Sequence, residues 1–315
     1  MVLEYLLIAV ALVLLFAGAE LLVKGSASVA ARAGLTPLVI GLTVVAFGTS
    51  SPELAVSLKS AFVGQGDVAV GNVVGSNILN IALILGVSAL IYPIGVHLQL
   101  IKVDVPIMIA VTILLPVLLR NGTLSRGEGG LLFAGILAYT AFNVMMARRD
   151  SDAEVKAEFG EGVPKLTRHW AVDLLLIGGG LAMLVYGSRL LVDNSIAVAK
   201  AFHVSEAAIG LTIVALGTSM PELATSIIAA VRRQPDIALG NIVGSNIFNI
   251  LAILGLSALV VPITAAGITI VDYGLMVFCS VLLLPFLMTG PRLGRIEGLA
   301  LIAIYGGYLY VLWPK

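Results

Sequence analysis

Two short stretches of this chain hold residues suited to binding a hard cation. They read Gly48-Thr49-Ser50-Ser51-Pro52-Glu53 and Gly217-Thr218-Ser219-Met220-Pro221-Glu222. Each sets a carboxylate and two or more hydroxyls inside a long apolar segment. An ionisable side chain at membrane depth is costly and marks function. A repeated one, in matching words, points to one shared cation site between two halves of a transporter.

On a helix, Ala46, Thr49, Ser50 and Glu53 follow the i, i+3, i+4, i+7 pattern and share one face. Pro52 has no amide hydrogen, so the Gly48 carbonyl loses its helical donor, and Ser51 before it is pushed from helical angles. The helix is expected to break here and free carbonyls around Ala46, Phe47 and Gly48. In hydrocarbon such carbonyls need partners or must line a polar cavity. A carboxylate, hydroxyls and bare carbonyls suit calcium, which takes six to eight oxygens. Ala215, Thr218, Ser219 and Glu222 offer the same set.

A second motif is also repeated: Gly71-Asn72-Val-Val-Gly75-Ser76-Asn77-Ile-Leu-Asn80 and Gly240-Asn241-Ile-Val-Gly244-Ser245-Asn246-Ile-Phe-Asn249. Ser76 and Asn80 are four apart and share a face, as do Ser245 and Asn249. The glycines read as packing positions where a neighbouring helix comes close. Asn72, Asn77, Asn241 and Asn246 fit structural hydrogen bonding and site lining equally. A buried glutamate can also be polar glue between helices, but its recurrence in one context weighs against that reading.

These motifs must be held by membrane helices. The chain is 59% hydrophobic and 11% charged, against about a quarter charged in soluble domains. Apolar stretches of spanning length read as ten spans, near 2–23, 36–63, 68–91, 102–119, 128–147, 171–192, 206–231, 237–261, 268–289 and 295–313. The expected class is an all-α integral membrane protein: ten helices as two inverted five-helix repeats, with discontinuous helices at the ion site. Residues 1–147 form the first half, 148–170 a linker loop and 171–315 the second half. The N-terminal apolar run has no basic flank and reads as a retained helix rather than a cleaved signal. Ile40–Leu90 aligns without a gap on Ile209–Leu259 at an offset of 169, with 33 of 51 positions identical, the polar ones included. Upstream, Glu20 and Lys24 face Arg189 and Asp193 with charges swapped, a four-residue spacing that suits local ion pairs. Asp104, Asp173 and Asp272 lie near segment starts and are expected at the interface. Lys and Arg cluster about two to one on the side of the 148–170 loop, which places that loop in the cytoplasm and both termini outside. Net charge is zero and the one cysteine, Cys279, lies in an apolar run, so neither a nucleic-acid partner nor a disulfide framework is indicated. His97, His169 and His203 stand near segment ends, apart from any metal-centre pattern.

The paired motifs resemble the alpha-repeats of the calcium/cation antiporter superfamily, and most of all prokaryotic sodium/calcium exchangers, over nearly the whole chain. That resemblance implies ten helices in two inverted halves, with ions bound mid-membrane between the second, third, seventh and eighth. It implies exchange of sodium for calcium by alternating access in the cell membrane, by a monomer with no cofactor and lipid as its surroundings. Residue by residue, it makes Glu53 and Glu222 the central calcium ligands. Thr49 and Thr218 fall at calcium-ligating backbone positions. The carbonyls of Ala46 and Ala215, with Ser50, Ser76, Ser219 and Ser245, fall at the sodium sites, and Asn80 and Asn249 at a further ligand position. Several relatives carry an aspartate at one of those two positions; here both are asparagine. The linker is too short for a calcium-sensing domain.

Two neighbouring readings share this fold: proton/calcium exchange and potassium-dependent sodium/calcium exchange. A membrane hydrolase lacks a placed histidine partner for its serine, so no enzyme is expected. A channel gains nothing from two broken-helix halves around one central site.

Overall fold

The computed structural model of the chain describes residues 2–147, 169–202, 215–288, 290 and 292–312. Most of the segment expected as the linker, 148–168, lies outside the described residues, as do His203 and the start of the seventh span. The helical rods in chain order are α1 (Val2–Ala33), α2 (Pro37–Thr49 and Ser51–Phe62), α3 (Gly66–Ile91), α4 (Leu100–Asn121), α5 (Arg126–Ala147), α6 (Trp170–Ala201), α7 (Ala215–Thr218 and Met220–Val231), α8 (Pro235–Val260), α9 (Ile270–Met288) and α10 (Arg295–Leu312). Among the described residues, seven are continuous helices long and apolar enough to cross a membrane, and the bent α2 makes an eighth. The remaining two of the ten expected spans, α7 and α10, are helical where described.

α3 and α8 form the centre, with 72% and 83% of their apolar windows buried, against 33% for α1 and 28% for α6. Their sealing residues come in repeat-related sets. Ile78, Ile81, Ile84 and Leu85 match Ile247, Ile250, Ile253 and Leu254 at the offset of 169, and all are fully buried. Four two-residue strands, invisible in the apolar pattern, clasp the halves together. β1 (Ile94–Gly95) pairs antiparallel with β4 (Arg292–Leu293), and β2 (Thr123–Leu124) with β3 (Ile263–Thr264). Ile94 opposes Leu293 and Leu124 opposes Ile263. Each pairing maps onto the other under the repeat, as a two-fold relation between halves requires.

α1 and α6 extend well past the expected ends at 23 and 192. Each runs for 32 residues, about 48 Å at 1.5 Å per residue and longer than the hydrocarbon core. Past Lys24 the run Gly25-Ser-Ala-Ser-Val-Ala-Ala has no proline, and most of it is buried by neighbours. The two helices touch backbone to backbone. A Cβ on Gly18 would lie 2.8 Å from the Gly180 carbonyl oxygen, and one on Gly180 2.7 Å from that of Gly18.

The local charge pairing read from the sequence is replaced by long-range partners. Glu20 does not pair with Lys24; it accepts from Arg232 beyond α7, with Nε at 2.8 Å. No ion pair joins Arg189 to Asp193 among the described residues. Asp173 is fully buried and receives Arg32 Nε at 3.0 Å, while the Arg32 guanidinium lies 5.7 Å from the Trp170 ring centre. Asp104 is also fully buried, and accepts from the Tyr139 hydroxyl at 2.9 Å. Asp272 receives Tyr308 in the same way, at 2.9 Å. In each case the partner is 35 to over 200 residues away, out of reach of local spacing.

Candidate functional site

The break in α2 falls at Ser50, whose φ and ψ are −80° and 8°. Its repeat mate Ser219 breaks α7 with φ −90° and ψ 11°. Pro52 and Pro221 then sit in the first turn of the second arm, where a missing amide hydrogen costs nothing. The two arms of α2 meet at 48°. The expected row of bare carbonyls is only partly formed. The Gly48 carbonyl, orphaned by Pro52, accepts from the Ser51 hydroxyl at 2.8 Å. The Ala46 carbonyl keeps the Ser50 amide at 3.0 Å and has the Thr49 hydroxyl at 3.4 Å. Main-chain donors alone would leave the Gly48 carbonyl bare, and Ser51 supplies a side-chain one.

The arms start with Glu53 and Glu222 in their first turns, facing the helix N-terminus. Both are at most 1% exposed, and they interlock crosswise. Ser50 of the first half donates to Glu222 Oε1 at 2.9 Å, and Ser219 of the second half to Glu53 Oε1 at 3.0 Å. Ser219 also lies 3.4 Å from the Ser76 hydroxyl. Serine and carboxylate thus come from opposite halves at each corner of one cluster. Asn72 and Asn241 brace it from behind. Asn72 Nδ2 donates to the Glu53 carbonyl at 3.2 Å and to Ser57 at 2.9 Å. Asn241 Nδ2 reaches Ser226 at 3.0 Å and lies 3.5 Å from the Glu222 carbonyl. These asparagines hold main chain, so they fall on the structural side of the even choice the sequence left.

What the cluster leaves unpaired is informative. Buried oxygens seek partners, yet Glu53 Oε2, Glu222 Oε2, Asn80 Oδ1, Asn249 Oδ1, Ser245 Oγ and Thr218 Oγ1 have none. All are acceptors belonging to residues singled out by the two motifs. Two buried carboxylates with no cationic side chain beside them need a counter-charge from elsewhere. Among the described residues no group of three or more His, Cys, Asp or Glu could hold a metal. The cluster therefore offers two charges and many neutral oxygens, the donor set of a site for calcium or sodium.

α3 and α8 supply Ser76, Asn80, Ser245 and Asn249. Asn80 and Asn249 each open a six-residue π-helical stretch, Asn80–Leu85 and Asn249–Leu254. Such local widening recurs at functional positions, and nothing in the residue types announced it. Thr49, fully buried, donates to Asn241 Oδ1 at 3.0 Å. The repeat-related bond from Thr218 to Asn72 is not made, and Asn72 is partly exposed. The two sides of the cluster thus differ in how tightly they are shut. Of Ala215, only the main chain at the start of its helix is described.

One cavity reaches the cluster and a second lies apart from it. The first, of about 290 Å³, reaches Pro52, Gly217 and Thr218 between α2 and α6, and has Lys59, Arg189 and Asp193 at its mouth. The other, of about 360 Å³, is lined by Glu20, Val23, Lys24, Ala27, Arg232 and Gln234 and touches no residue of the cluster. Glu20, Val23 and Lys24 are the repeat mates of Arg189, Val192 and Asp193, so the two cavities share one repeat-related wall.

Comparison with known proteins agrees over the full length. The family model described as sodium/calcium exchanger protein matches residues 3–145 and 172–313. A putative antiporter, CaxA, of Alkalimonas amylolytica is 40% identical over the whole of both chains. The sodium/calcium exchanger MaX1 of Methanosarcina acetivorans is 34% identical over 98% of each. A solved structure of the sodium-calcium exchanger NCX_Mj superposes with a TM-score of 0.84, at 32% identity and over 100% of both chains.

Proposed function

The chain belongs to the sodium/calcium exchanger protein family, and from that membership we propose how it exchanges sodium for calcium across a membrane. Glu53 and Glu222 supply the charge, and Ser50, Ser76, Thr49, Asn80, Ala46 and their repeat mates Ser219, Ser245, Thr218, Asn249 and Ala215 supply neutral oxygens. The observation that carries this assignment is the crosswise pair of bonds, Ser50 to Glu222 and Ser219 to Glu53, with the outer carboxylate oxygens left open. Two negative charges balance one calcium or two sodium ions. A third sodium would leave the low-dielectric site net positive. Calcium and sodium therefore compete for one set of oxygens, and binding one expels the other.

Exchange needs the site to meet one side at a time. The cavity that reaches Thr218 supports access from its own side, and the Glu20–Arg232 pair supports closure of the opposite vestibule. By the bias of positive residues, the open side is the cell exterior and both termini lie outside, in the plasma membrane. Residues 1–147 and 171–315 act as the two halves, within a monomer.

Purified protein in liposomes tests the coupling. Calcium uptake should follow an outward sodium gradient at equal pH on both sides. A proton gradient at equal sodium should drive none. Uptake driven by protons alone would transfer the reading to proton/calcium exchange.

A further inference from the structure

The proposed site needs the oxygens of Asn80 and Asn249, not their amide nitrogens, to face the ion. A side-chain amide is an acceptor at one end and a double donor at the other. Turned the wrong way, it presents protons to a cation. The structure contains a device that sets the turn, and this inference rests on the site reading above.

The chain of bonds starts at groups with only one way to bond. A main-chain carbonyl can only accept. The Asn246 carbonyl accepts from Asn77 Nδ2 at 3.2 Å, so the Asn77 amide has its nitrogen there and its Oδ1 turned away. That Oδ1 accepts from Asn249 Nδ2 at 3.0 Å. The Asn249 nitrogen is thereby engaged, and its Oδ1 is left buried with no partner. The mirror relay runs the other way. The Asn77 carbonyl accepts from Asn246 Nδ2 at 3.4 Å, and Asn246 Oδ1 accepts from Asn80 Nδ2 at 3.0 Å. Asn80 Oδ1 is again buried and unpartnered. The Asn246 amide also lies 3.7 Å from Met108 Sδ, a further contact on its donor side. All four asparagines are at most 1% exposed, so water does not compete for these bonds.

We infer that Asn77 and Asn246 are positioning residues, each anchored on a main-chain carbonyl of the opposite half and each fixing the amide of Asn249 or Asn80 so that its oxygen faces the cation site. Neither positioning residue touches the ion. Because each relay crosses from one half to the other, it forms only while α3 and α8 are in register.

The device predicts a specific non-additivity. An aspartate at 249 has two acceptor oxygens and needs no orienting. Calcium titration of the purified full-length protein should show Asn77→Leu binding about tenfold more weakly than wild type, the scale of one buried hydrogen bond lost. In the Asn249→Asp background the same Asn77→Leu change should shift affinity by no more than about twofold, a coupling that a double-mutant cycle isolates. Asn246→Leu with Asn80→Asp repeats the cycle at the mirror position. An equal loss in both backgrounds would make these asparagines general packing residues and overturn the proposal. So would an unchanged affinity in Asn77→Leu, or loss of the folded protein in both leucine variants. A separate outcome tests the reading beneath it: if Asn249→Leu and Asn80→Leu bind calcium as wild type does, neither is a ligand, and the site assignment falls first.

Discussion

At the scale of single residues, Asn80 and Asn249 set the charge of the site. With asparagine at both positions the cluster holds only Glu53 and Glu222 as acids. Converting either asparagine to aspartate adds a third carboxylate, which binds protons as well as cations. Sodium-driven calcium flux in Asn80→Asp and Asn249→Asp should therefore fall more steeply toward acid pH than in wild type. Identical pH profiles for all three would remove both side chains from the ion path. The residues that the structure gathers were legible because they occur twice: Glu53 with Ser219, and Glu222 with Ser50, are motif members whose meeting needs only the repeat. Asp104 and Asp173 were not legible. Each follows closely on a polar segment, which set its place near a helix start and said nothing of its burial or partner. What buries and pairs them, Tyr139 and Arg32, lies on other helices. The donor that Pro52 denies the Gly48 carbonyl is likewise supplied by a side chain, the Ser51 hydroxyl.

At the scale of elements, the apolar runs located the helices but not their lengths, because hydropathy ends where charge begins and helices end where capping or a breaker appears. α1 passes through Lys24 without interruption, since a lysine can extend its charge to water while its stem packs. The contact it makes with α6 depends on glycine at 18 and 180. Gly180→Val would force a side chain against the Gly18 main chain. Overpacking of this kind costs about 1–3 kcal/mol, so the melting temperature in detergent should fall and flux with it. Gly178→Val, one turn-face away with no atom near its Cβ position, is the control and should change neither. If Gly180→Val matched that control, the two helices would not touch as described. The break in α2 was expected ahead of Pro52, with Ser51 forced from helical angles. It falls one residue earlier, at Ser50, because a proline is comfortable in a helix's first turn, so the chain restarts just ahead of it.

At the scale of the whole molecule, the repeat makes two equivalent vestibules, and sequence differences decide which is open. Glu20 and Arg232 pair across one of them, the strap of the proposed closure. The repeat mate of Arg232 is Val63, so the other vestibule has no such strap. Glu20→Gln should shift the resting population toward the opposite opening, by a modest amount because the pair is partly exposed and screened by salt. A cysteine placed at Ala27 in a Cys279→Ala background should then react faster with a membrane-impermeant thiol reagent applied from the cytoplasmic side. Equal rates with and without the strap would mean that the pair does not hold this side closed. The inverted pairing itself was legible from the offset of 169. The strands that clasp the halves were not, since two-residue pairings leave no periodic pattern. The central claim is that one calcium is held by a carboxylate from each half. Sodium-gradient-driven calcium uptake by Glu53→Gln and Glu222→Gln tests it most directly. Removing one member of a buried charged set costs about 3–5 kcal/mol, so each single variant should lose calcium affinity by roughly 100-fold or more while remaining folded. A single variant that kept near wild-type calcium affinity would contradict the shared site.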